Sequence, residues 1–223
     1  MEKPIVSKAT LGRLPEYLNY LKSITAEHIS ATAVANALSL GEVLVRKDLA
    51  AVSGTGKPKV GYAVKELIKD IATCLGSDKT TPAVLVGAGK LGRALLEYDG
   101  FQEYGVKIIA GFDCNNQTLY FGRNKLPVYS MDGFKEFCEK NGVRIGIITV
   151  GSGSAQQVCD EMIKSGIKAI WNFAPCKLNV PDEICLRQEN LALSLAYLNS
   201  QLCNSFQEEI KYNKRLIVKE RSK

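Results

Sequence analysis

Leu11, Leu14, Leu18 and Leu21 recur at helical spacing, so residues near 7–24 are predicted to form an amphipathic helix. Pro15 falls inside that stretch and is expected to kink it unless it lies in the first turn. Ser30 can cap a second helix, ATAVANAL, which carries Val34 and Leu38 on one side. Ser39-Leu40-Gly41-Glu42 fits a capping box for a third helix over roughly residues 40–51. Two short helices joined by a tight turn predict a helix-turn-helix arrangement. The run Ser53-Gly54-Thr55-Gly56-Lys57-Pro58-Lys59 breaks regular structure and predicts a turn or wing. Residues 64–75 are predicted to form a further helix, ended by Gly76.

The polar stretch SDKTTP (77–82) reads as a linker. Beyond it the pattern changes: apolar, strand-like runs at 83–87, 106–112, 144–150 and 167–173 alternate with helical runs near 90–99, 131–141 and 154–165. Such alternation predicts parallel strands joined by crossover helices. Val180–Leu186 is a candidate further strand, and from about Leu191 to Lys214 the chain is predicted to be helical again, with an apolar half and a basic end.

The 223 residues are enough to bury a sizeable core in one large domain or two small ones. No 18-residue apolar run predicts a membrane span, and the N-terminus MEKPIVSKATLGRL lacks a hydrophobic signal core, so a cytoplasmic protein is expected. Seven cysteines, Cys74, Cys114, Cys138, Cys159, Cys176, Cys185 and Cys203, are scattered without a C-x-x-C pair and read as thiols, not as disulfides or zinc ligands. With a single histidine, His28, no His-rich metal site is expected. Charge is unevenly placed: residues 1–80 carry 11 Lys and Arg against 8 Asp and Glu, residues 81–204 carry 12 against 12, and residues 205–223 carry 6 against 3. A basic head on a neutral body fits that distribution, as does a set of solvated helix faces.

The segment AVLVGAGKLGRA carries chemistry. Gly87-Ala88-Gly89-Lys90-Leu91-Gly92 follows a predicted strand and opens a predicted helix. In such a turn the first glycine allows the tight bend, the second lets the backbone approach a pyrophosphate, and the third lets helix and strand pack closely. The helix start presents free N–H groups to the phosphates. Asp113 ends the next strand, about 20 residues on, where an acid accepts ribose hydroxyls and disfavours a 2′-phosphate. NAD(H) is therefore the expected cofactor; a glycine turn without a ligand is the alternative. Two further loops, Gly151-Ser152-Gly153-Ser154 with Thr149 and Val150 before it, and Asn172-Phe173-Ala174-Pro175, follow strands at the same carboxyl edge. Both are candidates to line the nicotinamide half, or are plain connections.

No Tyr-x-x-x-Lys pair exists, His28 lies in the first block, and no cysteine sits in an evident nucleophile context. The chain is expected to bind a cofactor without catalysing its chemistry, so no catalytic residue is assigned. In the first block, Arg46 and Lys47 sit mid-helix, where a cation can bond guanine O6 and N7. Lys57 and Lys59 flank Pro58 in the wing. Gly54, Gly56 and Gly61 would let the hairpin backbone lie close to DNA, with Tyr62 anchoring its return. The alternative is a charged helix and a flexible loop. The predicted DNA-facing set is Ser39, Arg46, Lys47, Lys57, Lys59, Gly61 and Tyr62.

Together ATLGRLPEYLNYL, VRKDL with its GxGY return, VLVGAGKLGRALLEYDGF, IITVGSGSAQ, GIKAIWNFAP and LNVP resemble the Rex family of redox-sensing transcriptional repressors, over nearly the whole chain. The resemblance implies an α/β fold: an N-terminal winged helix-turn-helix domain (1–77), a Rossmann-type parallel-sheet NAD(H)-binding domain (78–190) and a C-terminal, domain-swapped dimerisation helix with a basic tail (191–223). It implies a homodimer that binds a palindromic double-stranded DNA operator, released by NADH and permitted by NAD⁺, with no metal and no membrane partner. It also implies a switch. The family's first helix usually carries an arginine where this chain has Asn19, and its last helix starts with an aspartate where this chain has Asn190. These two pair near a tyrosine that matches Tyr98. Both charges are missing here, the proline usual after the ITV strand is Gly151, and the wing has Pro58 where a basic residue is common. A small NAD-dependent oxidoreductase, or a Rex-like regulator with weakened redox switching, are the other expectations.

Overall fold

A computed structural model describes residues 6–77, 79–114, 119–121 and 126–203, the side chains of 119–121 excepted. The far half of the last predicted helix and the basic tail lie outside the described residues.

The head begins with α1 (Lys8–Ser23), capped by Ser7, whose side chain accepts from the Thr10 amide. Three of the four leucines of its stripe behave as the spacing predicts: Leu14, Leu18 and Leu21 are fully buried, together with Tyr17, whereas Leu11 in the first turn is exposed. Each such burial contributes roughly 1.5–3 kcal/mol. The helix runs unbroken through Pro15, with the buried residues on both sides of the proline holding it against its neighbours. Next come a short strand β1 (His28–Ile29), α2 (Ala31–Ala37, capped by Ser30) and α3 (Glu42–Ser53). The helix-turn-helix is formed, but the expected capping box is not. Ser39 takes a left-handed conformation (φ 54°) in the turn, and Gly41 is the N-cap, without a side-chain cap bond. The turn between α2 and α3 uses the residues that the capping box required. β2 (Tyr62–Ala63) pairs antiparallel with β1, and α4 (Val64–Leu75) closes on a left-handed Gly76. At the end of α3 the Ser53 hydroxyl donates to Asp70 of α4. The result is a winged head around one apolar cluster.

The second unit is a seven-stranded sheet in the order β5 (Leu119–Phe121), β6 (Leu126–Ser130), β4 (Val106–Asp113), β3 (Thr81–Val86), β7 (Ile145–Ile148), β8 (Ala169–Asn172) and β9 (Cys185–Gln188). All neighbours are parallel except the β5–β6 pair. α5 (Lys90–Glu97) lies on one face, where Leu96 meets Leu85, Ile108 and Val128. α6 (Phe134–Lys140) and α7 (Ser152–Lys164) cover the other, around Val84, Phe112, Ile148 and Ile170. Thr81 and Pro82, expected in a linker, belong to β3. β5 and β6 were not expected, and β9 starts later than the apolar run that suggested it. β9 is an edge strand whose residues are mostly exposed, so it has no need of an apolar pattern. The described residues finish with a helix over 191–203, labelled α8.

Because β4 and β7 flank β3, the crossover direction reverses at the carboxyl end of β3. That reversal is where open parallel sheets hold ligands. The head touches the sheet unit through the 3-10 turn Asp99–Tyr104. Tyr104 packs on the head's apolar cluster, and Lys22 lies 5.2 Å over its ring. No described helix is long and apolar enough to cross a membrane.

Candidate functional site

At the end of β3 the chain turns at Gly87, which has φ +106°; a Cβ there would lie 2.8 Å from the Thr149 carbonyl carbon. Thr149 follows β7 and locks this turn, its hydroxyl donating to the carbonyls of Val86 (3.1 Å) and Gly87 (2.7 Å). A Cβ on Gly92 would meet the Gly87 carbonyl oxygen at 2.0 Å, so the first turn of α5 can seat on the strand only without a side chain. Gly89, the N-cap of α5, is different: a Cβ there would meet nothing within 4 Å. The space in front of the helix start is open, and Lys90 and Leu91 beside it are exposed. Gly87 and Gly92 thus make the tight bend and the close helix–strand packing expected from their spacing, and Gly89 leaves the space in front of the helix start open.

Asp113 closes the other side. Its Oδ2 accepts the Ala88 amide at 2.6 Å, so the carboxylate at the end of β4 reaches the glycine turn. Cys114 donates to Oδ1 at 3.2 Å, and the neighbouring carboxylate raises that thiol's pKa. Arg93 Nε holds the Ala88 carbonyl at 2.8 Å, a contact that sequence reasoning missed.

The remaining predicted cofactor residues divide. Gly151, the N-cap of α7, is exposed and open, and Val150 is half-buried beside the Gly87 turn. Asn172 is fully buried and spends its side chain on its own loop. Its Oδ1 accepts from Ala174, and its Nδ2 donates to the Ala174 and Cys176 carbonyls and to Gln188 Oε1. It shapes the loop from behind, Ala174 is buried with it, and Pro175 is exposed. Tyr98 caps the far end of α5, about 12 Å along the helix from the glycine turn. There it packs edge-on against Phe101 (4.9 Å), which touches Trp171 (5.8 Å), which in turn touches Phe173 (4.5 Å).

In the head, the cations lie outside and the anchors inside. Lys47 is exposed on α3, whereas Arg46 donates to Glu42 one turn back. Lys57 and Gly61 exchange backbone hydrogen bonds of 2.9 and 2.8 Å, closing a wing with exposed Lys57, Pro58 and Lys59 at its tip. Gly61 differs from the expectation of a DNA-facing role, and Tyr62, expected both to anchor the wing's return and to face DNA, does the first. A Cβ on Gly61 would sit 2.3 Å from the Ile29 carbonyl oxygen, and Tyr62 is buried against Gly56. Both pin the wing to the head. A groove of about 430 Å³ between α2, α3 and the wing is lined by Ser30, Thr32, Arg46, Lys57 and Lys59. Among the described residues no His, Cys, Asp and Glu cluster could hold a metal.

Residues 5–50 match the family described as putative DNA-binding protein N-terminus, and residues 78–176 the one described as CoA binding domain. A protein of Treponema denticola named redox-sensing transcriptional repressor Rex is 40% identical over 200 residues, covering 88% of this chain and 95% of that one. A Porphyromonas gingivalis protein of the same name is 38% identical, covering 88% and 92%. The chain belongs to the Rex family. The Rex-family repressor RSP, solved with β-NAD⁺ and operator DNA, superposes with a TM-score of 0.82 at 32% identity, covering 93% of this chain and 97% of that one. Its complex with β-NADH gives 0.82 at 31% identity, covering 92% and 98%. Within this Rex fold Asn19 is exposed on α1. Asn190 caps α8, its Oδ1 accepting from Ala192 (3.1 Å) and Leu193 (3.3 Å).

Proposed function

We infer that this chain is a redox-sensing transcriptional repressor that binds NAD(H) at the β3–α5 turn and operator DNA through α3 and the wing. One observation supports it most: a glycine cradle with open space at Gly89 and an acid beside it shares a chain with exposed cations on α3 and a basic wing. The bound dinucleotide supplies a ring whose charge and shape differ between its two redox states. The residues supply the rest. The backbone at Ala88, Gly89 and Lys90, with the start of α5, receives the pyrophosphate. Asp113 accepts ribose hydroxyls and repels a 2′-phosphate. Leu91, Thr149, Val150, Gly151, Ala174 and Pro175 border the remaining length, with Gly87, Gly92 and Asn172 shaping the walls. Lys47 reads base edges in the major groove, while Lys57 and Lys59 hold phosphates. Ser39, exposed in the helix-turn-helix turn, adds a hydroxyl for phosphate, and Arg46 joins by exchanging Glu42 for DNA.

We also propose a homodimer. α8 exposes Leu191, Leu193, Leu195, Tyr197, Leu198 and Leu202, too much apolar surface to leave in water. A groove of about 750 Å³ beside Leu11, Trp171 and Leu186 crosses the end of the same sheet. Exchange of α8 between two copies would cover the helix and present two heads to a palindromic operator. A repressor acts where its operator lies, which places the protein in the cytoplasm, and no substrate is turned over. The test is fluorescence anisotropy on a palindromic duplex at fixed salt. Binding with NAD⁺ that is reversed by NADH is the expected result; equal affinity with both, or none with either, overturns the reading.

A further inference from the structure

α3 carries a charge in its apolar stripe. Val45, Asp48, Leu49 and Val52 all face the head's interior, and Asp48 is only 3% exposed. Its carboxylate is met by four hydrogen bonds from α1. Thr10 Oγ1 (2.9 Å) and Arg13 Nη2 (2.8 Å) donate to Oδ1; Arg13 Nε (2.6 Å) and the Tyr17 hydroxyl (2.8 Å) donate to Oδ2. Arg13 thus grips the carboxylate as a fork, and both oxygens are doubly used.

This joint differs from the packing around it. Apolar contacts are non-directional and let one helix roll against another at small cost. Hydrogen bonds weaken steeply when their angles change, and a buried carboxylate that loses its partners carries a desolvation penalty. The joint therefore resists rotation of α3 about its axis. Lys47, the adjacent residue, points about 100° around the helix from Asp48 and is exposed. The rotation that the joint fixes is the rotation that aims Lys47. Base edges demand close directional geometry, whereas phosphate contacts tolerate some rotation because the charge attraction has little direction.

We propose that Asp48, held by Thr10, Arg13 and Tyr17, is a positioning residue for operator reading. It sets the axial rotation of α3 and hence which base edges the Lys47 face reaches. The inference rests on the reading of the chain as an operator-binding repressor.

The experiment uses the full chain and a duplex selected by the unsubstituted protein from a random-sequence pool, with a scrambled duplex of equal length as the non-specific probe. In Asp48→Asn the ratio of selected to scrambled affinity should fall about tenfold, the size of one base contact. Affinity for the scrambled duplex, its salt slope and NADH affinity by calorimetry should stay unchanged. Tyr17→Phe removes one of the four bonds and keeps the ion pair. It should lower the ratio less, and it carries the test if Asp48→Asn does not fold. An unchanged ratio in both variants overturns the inference. So does an equal loss on both duplexes, which would mean that the head has only loosened. Absence of discrimination by the unsubstituted protein would overturn the repressor reading as well.

Discussion

A side chain at Gly92 would collide with the Gly87 carbonyl, 2.0 Å away, whereas one at Gly89 would meet no protein atom. The two glycines therefore predict opposite phenotypes. Gly92→Ala should destabilise the fold by about 1–3 kcal/mol, read as a lower urea midpoint. Gly89→Val should leave the midpoint in place and remove NADH binding in calorimetry; unchanged NADH affinity would show that the pyrophosphate lies elsewhere. Asp48 gives a pH prediction. Burial alone would raise its pKa, but the hydrogen bonds from Arg13, Tyr17 and Thr10 outweigh burial and hold it below the ordinary carboxylate value. Tyr17 is pushed up to about 12, by burial and then by Asp48, so it stays protonated and donating. A carboxyl depressed in the folded state contributes stability above its unfolded pKa of about 4 and loses it as pH falls through the folded value. Unfolding midpoints followed from neutral pH down through that range should drop in the unsubstituted chain and drop less in Asp48→Asn; parallel curves would clear Asp48 of the effect. At this scale, the bend at Gly87, the packing at Gly92 and the position of Asp113 beside the glycine turn were legible in the sequence. Asn172 and Gly61 were not. A motif shows that a loop matters without showing whether a side chain faces the ligand or braces the loop from behind. The signal for Asp48 was present, a charge in phase with Val45, Leu49 and Val52.

The elements of the head owe their shape to anchors buried in its apolar cluster, which leaves the exposed cations on α3 and the wing free to differ in role. Lys47 is presented by a rigid helix and Lys57 by a hairpin tip. Lys47→Ala should cost roughly 1–3 kcal/mol on the operator and relax discrimination at one position per half-site. Lys57→Ala should weaken every sequence alike and reduce the slope of log affinity against log salt by about one. Anisotropy across a salt series separates the two, and operator binding unaltered in both variants would remove the head as the reader. Arg46 should matter less than its position suggests. Its pair with Glu42 is exposed, worth about 1 kcal/mol or less, but must be broken before Arg46 can bond DNA. Helices with long apolar stripes, such as α1 and α4, were legible from sequence to within a residue or two. β5 and β6 were not, because Pro127 and a short run gave no alternation to read. The start of α3 was misread because Ser39 and Glu42 have capping-box spacing while the tight turn claims Ser39 for a left-handed bend.

At the scale of the whole molecule, the strand-helix alternation predicted the parallel sheet, and the change of pattern near residue 77 predicted the two units. Their connection was not legible, because Lys22 and Tyr104 meet only through tertiary packing. The same scale decides how well cofactor and operator talk to each other. A ligand shifts a two-state equilibrium only by the difference in its interactions with the two states. Coupling energies are commonly about 1–3 kcal/mol, so one ion pair formed in a single state could supply much of that. This chain has Asn19 and Asn190 where the family resemblance places the pair. Neither can ionise, and the Asn190 Oδ1 is already engaged by the first amides of α8. A neutral hydrogen bond between them would contribute only about 0.5–1.5 kcal/mol. The protein is therefore expected to bind NADH and operator with ordinary affinity but to couple them weakly. Asn19→Arg with Asn190→Asp should restore the coupling without harm to α8, since aspartate caps a helix as well as asparagine does. The measurement is the ratio of operator affinities without and with saturating NADH. It should rise in the double variant and not in either single one. A large ratio in the unsubstituted chain, unmoved by the double substitution, would mean that the switch runs through other contacts, and the docking of Lys22 on Tyr104 would be the next to break.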